Sequence, residues 1–113
     1  MSEELTLNAR LIALITPIVG VCVPDFYGGD AEKYCTFNFD ELPDAFGDDL
    51  PHLKRCLVQV HYYAPVKANV YSTRKQLFAA ICGEELFGAP SVENASDDAQ
   101  QHFVYEFEAL EAV

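Results

Sequence analysis

From Lys33 to Phe39 the chain alternates, with Tyr34, Thr36 and Asn38 on one side and Cys35, Phe37 and Phe39 on the other. That is the period-two pattern of a half-buried strand. Gln100 to Leu110 repeats it: Phe103, Tyr105, Phe107 and Ala109 make an apolar face, and His102, Val104, Glu106 and Glu108 a largely acidic one. Between these lies Cys56 to Tyr63, where Cys56, Val58, Val60 and Tyr62 point one way and Leu57, Gln59, His61 and Tyr63 the other. With few polar atoms on either side, this stretch predicts a central strand, covered by helices on one face and by a partner or loops on the other.

Two segments follow helical spacing instead. Leu5, Leu7, Leu11, Ile12, Leu14 and Ile15 form a broad apolar stripe after Ser2, a candidate cap, with Glu3 and Glu4 in the opening turn and Pro17 as the stop. Ile18 to Val23 then predicts a short strand, and Pro24 to Asp30 a turn-rich connection. In the second helix Leu77, Phe78, Ile81 and Cys82 recur, with Asn69 or Ser72 as cap and Gly83 or Gly88 as terminator. Pro90 to Ala95, a turn at Ser96 to Asp98 and the last strand predict a terminal hairpin. Asp40 to Leu53 has neither period and predicts a long loop carrying Asp40, Glu41, Asp44, Asp48 and Asp49. The expected architecture is a single α+β domain over residues 1–113. A mainly antiparallel four- to five-stranded sheet carries the N-terminal helix and one mid-chain helix, in the order α-β-β-β-α-β-β.

Composition sharpens this picture in one respect. Among 113 residues, 7 basic against 18 acidic side chains give a net charge of −11. Nucleic-acid affinity comes from neutralising phosphates with Lys and Arg, and here those residues are few and dispersed, so no specific nucleic-acid binding is expected. An acidic surface serves solubility, docking on a basic partner, or lining a passage along which DNA slides without sticking. No apolar stretch reaches the roughly 20 residues of a spanning helix, and Met1 to Glu4 lacks the basic start of a signal peptide, so a cytosolic protein without membrane contact is expected. Cys22, Cys35, Cys56 and Cys82 lie too far apart for a Cys-x-x-Cys site and read as buried thiols.

Candidate chemistry is sparse. His52, His61 and His102 fall on a loop and two different strands, and nothing in their spacing makes them a shared site. The acids of the Asp40 to Asp49 loop miss the alternating pattern of a calcium loop, and Tyr27-Gly28-Gly29-Asp30 has no lysine after its glycines, which makes it a turn and not a phosphate loop. No catalytic, cofactor or metal residue is assigned, and no cofactor is expected. Aromatic residues near strand ends and connections, Phe26, Tyr62, Tyr63 and Tyr71, are where interface anchors are common and where core packing is the alternative.

Several segments carry a family likeness: the N-terminal helix, a Tyr-Gly turn, the strand Tyr34-Cys-Thr-Phe-Asn-Phe39, the acidic loop and the strand Leu57-Val-Gln-Val-His-Tyr-Tyr63. The helix Val70 to Gly83 and the closing strand Gln101-His-Phe-Val-Tyr-Glu-Phe107 complete the series. In this arrangement the chain resembles the tail terminator, or tail completion, proteins of long-tailed bacteriophages and prophages. The resemblance implies a non-enzymatic α+β subunit that forms a ring, usually a hexamer, on the tail tube, stops its growth and joins it to the head. It also implies a place in the virion tail, reached by assembly in the host cytoplasm, with tail-tube and head-completion proteins as partners. A ring needs one patch to meet a different patch on the next subunit. Leu57, Gln59, Tyr62 and Tyr63, with the terminal hairpin, are the candidate interface; Asp40, Glu41, Asp44, Asp48 and Asp49 are the candidate lining of an acidic lumen. A second class stays open: a small acidic binding protein that mimics DNA or neutralises a basic partner. A mimic needs acids in stripes over one face, whereas here they gather in the loop and the last hairpin.

Overall fold

The computed structural model describes residues 6–42 and 53–112. Two helices and five strands follow in order: α1 (Leu7–Val19), β1 (Cys22–Pro24), β2 (Tyr34–Glu41), β3 (Leu53–Ala64), α2 (Tyr71–Gly83), β4 (Ser91–Asn94) and β5 (Gln101–Ala112). The predicted α+β order is therefore present, with β3 central in a sheet ordered β1-β2-β3-β5-β4. The sheet is mixed and not purely antiparallel, because β1 runs parallel to β2, pairing Cys22 with Cys35 and Val23 with Thr36. β1 is only three residues long, so the connection over 25–33 returns to its start without a crossover helix.

Helix α1 begins and ends elsewhere than the sequence pattern predicts. Thr6 is the cap, its Oγ1 accepting the Ala9 N–H at 3.1 Å, while Ser2, Glu3 and Glu4 lie outside the described residues. The first turn contains no acid of its own. Instead, the Leu7 N–H donates to Glu111 Oε2 of β5 at 2.7 Å, and this distant carboxylate meets the positive end of the helix dipole. Pro17 does not stop the helix: it sits in the last turn, where a lost N–H costs one bond and the chain is about to leave the helix. Ile18 and Val19, predicted as strand, complete that turn. Gly20 ends it with φ +103°, its N–H donating to the Thr16 carbonyl at 2.8 Å. Nothing lies within 4 Å of where a Gly20 Cβ would stand, so Gly20→Ala should cost only backbone strain, about 1–2 kcal/mol, read as a lower urea midpoint at unchanged slope.

Both helices pack on one face of the sheet. Leu7, Leu11 and Ile15 of α1 and Leu77 and Ile81 of α2 meet Cys35, Phe37, Val58, Val60, Tyr62, Phe103, Tyr105 and Phe107, all buried. Phe78 and Cys82, predicted within the α2 stripe, are exposed on its flank, because only the Leu77 and Ile81 edge of that helix is buried in the core. Cys82 thereby departs from the expected set of buried thiols, while burial pushes the Cys22 thiol up to about 12 and raises Cys35 as well. At the α2 start Asn69 Oδ1 accepts the Tyr71 N–H at 3.2 Å, although the cap position itself belongs to Val70, which makes no side-chain capping bond. Beyond β4, residues 86–88 continue the sheet beside β5, with Gly88 N–H donating to the Glu108 carbonyl at 2.8 Å and Leu110 N–H to that of Leu86 at 2.9 Å. Arg10 ties this segment to α1, its guanidinium 4.8 Å over the Phe87 ring and 3.4 Å from the Glu84 carboxylate.

Candidate functional site

Strand alternation places every second residue of β2, β3 and β5 on the face that carries no helix. Registers align these residues into rows: Tyr34, Tyr63 and His102; Thr36, His61 and Val104; Asn38, Gln59 and Glu106; Asp40, Leu57 and Glu108. Apart from Thr36, which is buried, they are half-buried or exposed in the isolated chain. Among the described residues, the open face is thus an ordered array with no layer over it.

Its two ends differ in chemistry. At the Tyr63 end, rings lie side by side across three strands: Tyr27 is 4.7 Å from Tyr34, Tyr34 4.8 Å from Tyr63, and Tyr63 4.3 Å from His102. Tyr27 reaches this row because its chain turns through Gly28 and Gly29; its ring lies over Gly29, where a Cβ would collide with it, and its hydroxyl accepts the Ala31 N–H at 3.0 Å. At the other end two glutamates are engaged by neighbouring side chains. Gln59 Nε2 donates to Glu106 at 3.0 Å, and Arg55 Nη2 meets Glu108 at 2.8 Å.

His61 and His102 extend the ring row into a pair, His61 Nδ1 standing 2.8 Å from His102 Nε2. One nitrogen must donate and the other accept, so the contact requires at least one neutral ring. Burial, helped by the neighbouring His102, holds the His61 pKa below its ordinary value; burial also lowers His102, against the opposing pull of Asp97 and Glu93. With both folded values depressed, the unfolded chain takes up these protons first on acidification. Stability is full above about pH 6.5 and declines as pH falls below it. Melting temperatures between about pH 7.5 and about pH 5 should therefore fall more steeply for the natural chain than for His61→Gln/His102→Gln.

The candidate interface residues separate in the structure. Leu57, Gln59 and Tyr63 lie on the open face, but Tyr62 points into the core with no exposed surface and cannot meet a partner. Alternation itself makes the division, since Tyr62 shares its side with Val58 and Val60. Asp40 and Glu41, expected in a loop, are the last residues of β2: Asp40 stands opposite Leu57, and Glu41 is 3.4 Å from Lys54 Nζ. Asp44, Asp48 and Asp49 lie outside the described residues, as does His52. The histidine pair is what sequence spacing misses. Its signal is the pairing of the two strands, since once Tyr63 stands opposite His102, His61 is their diagonal neighbour.

Among the described residues, no three His, Cys, Asp or Glu side chains are grouped to hold a metal ion, and no helix is long and apolar enough to cross a membrane. Comparison with protein families, curated proteins and solved structures finds no match to this chain.

Proposed function

We propose that this chain is a structural subunit of virion assembly, a tail terminator or tail completion protein of a long-tailed phage or prophage. It caps the tail tube as a homo-oligomeric ring, a hexamer in the family it resembles, and joins the tube to the head. The observation that supports this reading is the sheet face that no described residue covers: a row of half-buried rings with Glu106 and Glu108 engaged beside it, on a fold with the α-β-β-β-α-β-β order expected from the sequence. Aromatic rings held by their neighbours present large contact area at little further entropic cost, which suits an assembly surface. The subunit acts without catalysis, in the virion tail, with tail-tube and head-completion proteins as partners after assembly in the host cytoplasm. Its charge of −11 supports a DNA-repelling lumen, to which the Asp40 to Asp49 stretch would contribute.

A small acidic binding protein, mimicking DNA or blocking a basic partner, draws on the same net charge. On the open face, however, Glu106 and Glu108 are engaged by Gln59 and Arg55, unlike a row of free phosphates. Electron microscopy of particles from a phage or prophage lacking this gene separates the two. Overlong or headless tails beside filled heads are the expected result; normal particles would return the charge to the binding-protein reading.

A further inference from the structure

Phe26 is the most exposed large hydrophobic side chain among the described residues, at 80%. Backbone geometry holds it there. Asp25 lies at φ +61°, and the Phe26 N–H donates back to the Pro24 carbonyl at 2.7 Å, closing a tight turn. The Asp25 N–H ties this turn to β2 by donating to the Phe37 carbonyl at 2.8 Å. Gly28 leaves room for the ring, since a Cβ there would stand 3.2 Å from it. Left-handed backbone outside glycine is uncommon and strained, and such strain gathers where a side chain has to be presented. The segment around this knob is acidic: Asp25, Asp30 and Glu32 are exposed, against one cation, Lys33.

At the opposite edge of the sheet, a groove of about 220 Å³ lies between α2 and β4. It is smaller than the roughly 300–1,000 Å³ of small-molecule sites, a size that suits one aromatic side chain. Tyr71, Phe78 and Val92, all exposed, form apolar walls, and Tyr105 completes them. Arg74 and Lys75 add positive charge to the same lining. Both cations rest on rings of this subunit: the Arg74 guanidinium lies 4.0 Å over Phe103, and Lys75 Nζ 5.2 Å over Tyr71. An apolar trough with cations beside it matches an aromatic anchor flanked by acid.

We propose that this groove receives Phe26 of a second copy of the chain, with the Asp25 carboxylate of that copy against Arg74 and Lys75. The inference rests on the homo-oligomeric reading above and names its contact. Two observations select a second copy as the occupant. Knob and groove carry opposite charge, and they stand at opposite edges of one sheet, with β2, β3 and β5 between β1 and β4, so they cannot meet within one subunit. Joining unlike patches is a head-to-tail contact, the kind that closes into a ring.

The test is sedimentation equilibrium of the full chain in three forms: natural, Phe26→Ala without the knob, and Lys75→Glu/Val92→Glu with a spoiled groove. All three substituted positions are exposed, so melting temperatures close to the natural one are expected and show that each variant is folded; Lys75→Glu alone is measured beside the pair. The natural chain should associate at concentrations up to about 1 mM, and Phe26→Ala should weaken this about thirtyfold or more. The groove variant should lose about tenfold or more. Mixing separates a head-to-tail contact from any other. The Phe26→Ala chain keeps its groove and the groove variant keeps its knob, so an equimolar mixture should form dimers and nothing larger. Variants that associate like the natural chain would put self-contact elsewhere, and a mixture without dimers would show that the two patches do not meet. Either result, or a natural chain that stays monomeric throughout, overturns the proposal while leaving the tail-length experiment to judge the assembly role separately.

Discussion

Tyr62→Ala is expected to cost about 3–5 kcal/mol, enough to unfold much of the population of a small domain. Tyr62 is wholly buried on the central strand, beneath the helices and 6.4 Å from the Phe103 ring. Truncation leaves a cavity lined by β3, β5 and α2 side chains whose backbones are fixed by the sheet and cannot collapse into it. Tyr62→Phe should behave in the opposite way. The Tyr62 hydroxyl faces Thr73 but completes no hydrogen bond of good geometry, so it is a desolvated polar atom with little return. Removing it while keeping the ring should leave stability unchanged or raise it by up to about 1 kcal/mol. Urea unfolding of the two variants against the natural chain decides the matter; a marked loss in Tyr62→Phe would show that the hydroxyl is bonded after all.

One residue along, the same operation should act on assembly and spare the fold. Tyr63 is half-buried on the open face, with Tyr34 on one side and His102 on the other, and Leu57 occupies the same face three rows away. Loss of the Tyr63 stacking costs about 1 kcal/mol of stability. As interface anchors, Tyr63 and Leu57 would each be worth about 2 kcal/mol or more. Tyr63→Ala/Leu57→Ala should therefore weaken subunit or tube association between about thirtyfold and about a thousandfold. The readout is the fraction of head-joined, correct-length particles when the variant replaces the natural gene, together with its melting temperature. A folded variant that still joins tails normally would remove this face from the assembly surface. Two adjacent tyrosines are thus expected to differ: position 62 reports on the core and position 63 on the proposed contact.

The opposite facing of the two tyrosines was legible in alternation, which already put Tyr62 with Val58 and Val60 and Tyr63 with Leu57 and Gln59. The strand ends and the aromatic composition argued for an interface at both positions, and only burial removes Tyr62 from it. Periodicity also located β2, β3 and β5, because each presents one apolar face over several residues; β4, exposed throughout, was placed by the turn that follows it. It misplaced the boundaries of α1, where Pro17 and Ser2 are local signals. The end of a helix depends on which backbone groups find partners, and these came from Thr6, Gly20 and the remote Glu111.

By itself the sequence determined the fold class, the central position of β3, the acidic character and the sidedness of each strand, since all of these follow from local period and composition. Tertiary structure decided what depends on residues far apart in the chain. The parallel pairing of β1, the meeting of His61 with His102 across 41 positions, the Glu111 carboxylate at the α1 start and the groove beside Arg74 are of this kind. A strand's period says which side each residue faces, but the neighbour on that side is chosen by strand order and register, and these are set by the packing of the whole sheet.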